Sequence, residues 1–109
     1  MKRGDIVIVS APGDYGKPRP AVVIQTNALT DLGAQSVIVC LMSTTSARSQ
    51  LFRIPIEPSE ANGLEQVSQI MAEKMVTVPK AKITRVIGHL TDEQCVQLNR
   101  TLAFVIGLG

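Results

Sequence analysis

Aromatic side chains are nearly missing: the 109 residues include no tryptophan, one tyrosine (Tyr15) and two phenylalanines (Phe52 and Phe104). A broad platform on which single-stranded bases stack needs several exposed rings, so that mode of nucleic-acid binding is excluded. Histidine is rarer still. His89 stands alone, and Cys40 and Cys95 are far apart with no CxxC or HExxH spacing. These residues leave almost no basis for a zinc centre, and an acid–base pair of histidines is out of reach. Two isolated cysteines in apolar contexts are expected to be reduced packing residues of a cytoplasmic protein, with a disulfide between them the weaker alternative. No apolar run approaches the ~20 residues of a membrane span. The opening MKRGDIVIVS has two basic residues but only a short alternating apolar stretch, and it reads as a first strand rather than a signal peptide.

A hydrophobic fraction of 45% suits one globular domain over residues 1–109. The net charge is +2, unevenly spread: six of the 11 basic residues, against three of the nine acidic ones, lie at or before Ile54. That skew permits contact with a polyanion but lacks the dense stripe of a general nucleic-acid binder.

Short strands dominate the pattern. DIVIV is the first, the stretch from Pro20 to Gln25 the second, and SVIVCLM a third that should be central because it is apolar on both faces. Pro55 demotes LFRIPIEP to an edge or bulged strand. TNALTDLGAQ reads as loop, and Asn62-Gly63 marks a turn. Residues 68–78 read as one or two strands and KITRVIG as a further short element. One helix is clear. Thr91 as N-cap with Gln94 three residues on forms a capping box, Asp92 and Glu93 suit the first turn, and Gly107 ends it. Cys95, Leu98, Leu102 and Val105 recur at helical spacing and should dock on the sheet, and Phe104 is expected in the core. The expected fold is mainly β with a C-terminal α-helix, a small barrel-like sheet.

The segments RGDIVIV, KPRPAVVIQ, VIVCLMSTT, LFRIPI, NGLEQVSQIMAEKMVTVPKAKI and IGHLTDEQCVQLNRTLAFVIGL, in that order, resemble the MazF/PemK family of bacterial toxins from Arg3 to Leu108. The resemblance implies an SH3-like barrel and a homodimer. It also implies a metal-independent endoribonuclease, needing no cofactor, that cuts single-stranded RNA at short sequences and is silenced by a MazE-like antitoxin.

Cleavage of RNA without metal uses the substrate's own 2′-hydroxyl against the adjacent phosphate, so the protein must orient that phosphate and stabilise charge on its oxygens. Arginine suits the charge role, since its planar fork meets phosphate oxygens and does not lose its proton. Arg19 matches the family's arginine in the RP motif. Pro18 and Pro20 restrict the backbone on either side of it. Ser43, with Thr44 as the alternative one residue on, matches the family's catalytic hydroxyl, which can donate to a non-bridging oxygen. On composition alone an arginine at a turn and a Ser-Thr run are ordinary surface features, and the functional reading rests on the match.

The remaining candidates are RNA contacts. Asp14 falls where some relatives carry a glutamate proposed as general base, in a loop that is shorter here; a solvated turn aspartate is the alternative. Tyr15 and Lys17 precede Arg19 in the same loop, Tyr15 as the one ring placed to stack a base. Glu73 and Lys74 occupy the family's polar pair near the RNA groove, or else face solvent on an alternating strand. His89 is expected at the surface, outside the pocket. Two other readings stay open: a CcdB-like binder of DNA gyrase on the same fold, and an inert protein that only binds its antitoxin.

Overall fold

The computed structural model describes residues 1–10, 17–44 and 51–109. The strands are β1 (Asp5–Val9), β2 (Arg19–Val23), β3 (Ser36–Thr44), β4 (Arg53–Ile56), β5 (Ser68–Pro79) and β6 (Ile83–His89). Two α-helices accompany them, α1 (Asn27–Asp31) and α2 (Asp92–Val105). They form one antiparallel sheet in the order β4-β5-β3-β2-β1-β6. The apolar β3 is therefore interior, and the proline-bearing β4 is an edge, where Pro55 sits opposite Gln69 and its missing N–H breaks no central ladder. Among the described residues no ladder joins β4 to β6, so the sheet is curled but open rather than a closed barrel.

Both faces of this sheet are buried. On one side Ile6, Val22, Cys40, Met42, Ile54, Ile56 and Ile70 pack against Leu98 and Leu102 of α2. On the other, Val7, Val9, Ala21, Val23, Val37, Val39 and Leu41 pack with Met71 and Val78. The second cluster draws on strands alone, so the sheet's own curl closes that face. Burial pushes the Cys40 thiol up to about 12, with the negative charge of Glu73 adding to it. Both cysteines are free thiols, and Cys40 is a protonated packing residue.

α2 starts as its sequence dictates. The Thr91 hydroxyl accepts from the Gln94 backbone N–H at 3.1 Å, and the Gln94 side chain accepts from the Thr91 N–H at 2.9 Å. It ends at Gly107, whose φ of 80° a side chain would resist. Two expectations need correction, and a third is narrowed. Phe104 is 51% exposed rather than in the core, because the helix's buried stripe runs through Leu98, Thr101 and Leu102. The stretch read as loop after β2 contains α1, which has no buried residue and no side-chain cap; polar composition hid it. Residues 68–79 are one strand, but an irregular one. Ile70 and Ala72 face the helix-side cluster while Val76 and Val78 face the opposite one. A bulge opposite Leu41 absorbs the change, since the pairing jumps from Met42↔Ile70 to Cys40↔Met75.

Leu98, fully buried, should cost about 2–5 kcal/mol when cut to Ala. Thr91→Ala, which removes the cap but no core volume, should cost about 1 kcal/mol. Urea unfolding followed by circular dichroism checks both values.

Candidate active site

β3 emerges from the core at its C-terminal end: Leu41 and Met42 are buried, Ser43 half-buried and Thr44 exposed. The β2–β3 ladder pairs Ala21 with Leu41. Continued by two residues, that register sets Arg19 across from Ser43, on the same face of the sheet. Val9 of β1 pairs with Arg19 from the other side. The cationic residue between its prolines is thus held by the β1 ladder on one flank and lies two residues beyond the end of the β3 ladder on the other. Pro18, Arg19, Pro20, Met42, Ser43 and Thr44 line one open cavity of about 370 Å³.

Arg19 and both candidate hydroxyls are therefore brought together, although 24 residues separate Arg19 from Ser43. Lys17 lies exposed at the entry to β2. Asp14 and Tyr15 lie outside the described residues. Glu73 and Lys74 do not line this cavity. They sit on the bulge of β5, where the strand changes face, and Glu73 accepts from Arg53 Nε at 2.9 Å while Arg53 Nη2 bonds the same carboxylate. That bidentate pair bridges β4 and β5 and gives Glu73 a partner within the sheet. His89 is exposed at the end of the edge strand β6, opposite Asp5.

Sequence reasoning missed a second cavity of about 260 Å³ that shares Pro20 and Thr44 with the first. Its wall is the segment 63–66, and Arg85 of β6 lies at its far side. The wall is tied down. Asn62, only 2% exposed, accepts from the Ser59 and Leu64 N–H groups at 2.9 and 3.0 Å and donates to the Glu57 carbonyl at 2.8 Å. The Ala61 carbonyl accepts from the His89 N–H at 2.9 Å. Gly63 has φ 67°, and a Cβ there would come within 2.1 Å of the Ile87 carbonyl oxygen. The Asn-Gly pair signalled a turn, but nothing in the sequence says that this turn presses against β6.

Residues 2–106 match the family of PemK-like, MazF-like toxins of type II toxin–antitoxin systems. The chain belongs to that family. It is 38% identical over 110 residues to a probable endoribonuclease MazF from Mycolicibacterium smegmatis, covering 100% of this chain and 99% of the relative. Endoribonuclease EndoA of Bacillus subtilis is 26% identical over 115 residues, with 99% and 96% covered. Among solved structures, a mycobacterial endoribonuclease in complex with its cognate antitoxin superposes with a TM-score of 0.83 at 20% identity, over 100% of this chain and 97% of that one. Mycobacterium tuberculosis toxin MazF-mt6 gives 0.82 at 23% identity, over 96% and 98%. At those identities the structural likeness speaks for the fold, and the MazF-like arrangement of sheet and C-terminal helix is the one described above.

Gly63→Ala should destabilise the protein by at least about 1–3 kcal/mol, because it combines a left-handed backbone with a backbone clash. Thermal unfolding measures it. Gly33→Ala provides the comparison, since Gly33 also has positive φ but nothing within 4 Å of an added Cβ, and it should cost less.

Proposed function

We propose that this chain, an endoribonuclease toxin of the MazF/PemK family, cuts single-stranded RNA without a metal ion and at preferred sequences. The observation that carries the reading is the shared cavity of Arg19, Ser43 and Thr44. In the proposed step the 2′-hydroxyl oxygen of one nucleotide attacks the neighbouring phosphorus, and its proton is lost to a base. The bond from phosphorus to the next 5′-oxygen breaks, and that oxygen takes up a proton. The products are a 2′,3′-cyclic phosphate and a 5′-hydroxyl end.

Negative charge on the non-bridging oxygens rises as the fifth bond to phosphorus forms. The Arg19 guanidinium supplies fixed positive charge for it, and the hydroxyl of Ser43 or Thr44 donates to one of the same oxygens. Prolines on both sides of Arg19 and its pairing with Val9 of β1 reduce the ordering needed on binding. A site with so few cations among the described residues should hold RNA modestly and in a salt-dependent way. A MazE-like antitoxin is the expected silencing partner and a homodimer the expected assembly. The first of these is supported by the related mycobacterial endoribonuclease solved with its cognate antitoxin.

The test is incubation of the purified protein with a long unstructured RNA, with and without EDTA, beside Arg19→Ala. Discrete cuts that survive EDTA and fall by about 10²–10³-fold in the variant are expected. Cuts undiminished in the variant would remove Arg19 from the site. Absence of cutting on several RNAs would favour a protein-binding toxin instead.

A further inference from the structure

We propose that the second cavity is a specificity subsite, which holds a nucleotide adjoining the scissile phosphate and selects a base bearing an exocyclic amino group. This rests on the nuclease reading of the first cavity. The two cavities are continuous, because Pro20 and Thr44 line both. The floor is a row across the sheet: Ser68 pairs with Thr44, Pro20 with Ile8, and Ile8 with Arg85, while Thr44 and Pro20 are diagonal neighbours in the β2–β3 register. A strand leaving Arg19 and Thr44 can follow this row over three inter-strand spacings, roughly 14 Å, to Arg85.

The chemistry along the row changes in a way that suits a nucleotide. Ile8, Pro20 and Leu64 offer apolar surface, which can lie against the face of a base where aromatic rings are scarce. Glu65 and Gln66 on the wall offer an acceptor-only carboxylate and an amide that both donates and accepts. A carboxylate accepts from the amino group of cytosine or guanine, and a glutamine pairs with the amino edge of adenine; uracil alone has no amino group to give. Arg85 at the end of the row is exposed and forms no salt bridge among the described residues, so it can meet a flanking phosphate.

Selection by a base edge needs a wall that does not yield, and this wall is held. The Ser68 hydroxyl donates to the Gln66 carbonyl at 3.0 Å, the Asn62 side chain ties residues 57–64 together, and an added Cβ at Gly88 would come within 2.3 Å of Asn62 backbone. The loop therefore rests on β6 with no spare room, and Glu65 and Gln66 are presented from a fixed frame.

The experiment uses the full chain, Arg85→Ala, Gln66→Ala, the double variant Glu65→Gln/Gln66→Ala, and Lys80→Ala as a charge control. Lys80 follows β5 at the end opposite Ser68. Fragment ends from a mixed RNA pool are sequenced, and affinity for an uncleavable oligonucleotide is measured against salt. Arg85→Ala should reduce the slope of log K against log salt by about 0.7, the value for one phosphate contact on a single strand, while Lys80→Ala leaves it unchanged. The wall variants should cut with relaxed selectivity, accepting uracil at a position next to the cut where the wild type favours a base with an exocyclic amino group. If the wild type cuts, Arg19→Ala does not, and the wall variants keep the wild-type cut pattern, the subsite is refuted while the nuclease reading stands. If the wild type does not cut, both fall. A slope change equal in Arg85→Ala and Lys80→Ala would refute the specific phosphate contact.

Discussion

β3 cannot leave either face to water. Val37, Val39 and Leu41 point one way, Cys40 and Met42 the other, and all are buried. At about 25 cal/mol per Å² of apolar area, exposing either row would forfeit several kcal/mol. Two coverings answer this: α2 docks on one face, and the sheet curls over the other. The register of β2 and β5 against β3 is then fixed, since a slip of one residue would exchange the two faces and put each row of side chains into the cluster packed around the other. Functional geometry follows from the same constraint. Where the apolar run stops, Ser43 and Thr44 emerge, and the locked register brings Arg19 to them.

Much of this was legible in the sequence, and the legible parts share a cause. The double-sided apolar run, the proline on an edge strand, and the capping box of α2 are local patterns with one physical solution each. Arg19 and the Ser43/Thr44 pair could be named only through the resemblance to MazF/PemK toxins, but the register explains why residues 24 apart in sequence meet. What failed to show depends on long-range packing. The change of face within β5 puts Glu73 and Lys74 on a bulge, and no alternation pattern reveals the residue at which a strand turns over. Phe104 looked like a core residue because it is aromatic, yet the helix stripe passes it by. Arg85 carried no signal at all. It matters only because β6 lies beside β1, a neighbour relation that joins the two ends of the chain.

Positive charge is sparse and placed rather than spread. Net charge is +2, and among the described residues the cations around the two cavities are Arg19, Lys17 at the entry and Arg85 at the far side. Such a surface cannot hold RNA by bulk attraction, so orientation must come from rigid backbone: prolines about Arg19, and the loop 57–66 clamped to β6. Rigidity substitutes for affinity.

The central claim is that the cavity of Arg19 and Ser43/Thr44 promotes attack by the substrate's own 2′-hydroxyl. The most direct measurement uses an oligonucleotide with one 2′-deoxy substitution at the nucleotide preceding the preferred cut. The account predicts that this substrate binds as well as its parent and is not cut at that bond, while other sites in the same strand remain cleavable. Cutting at the substituted bond at an undiminished rate would contradict it, because the nucleophile would then have to be water or a group of the protein.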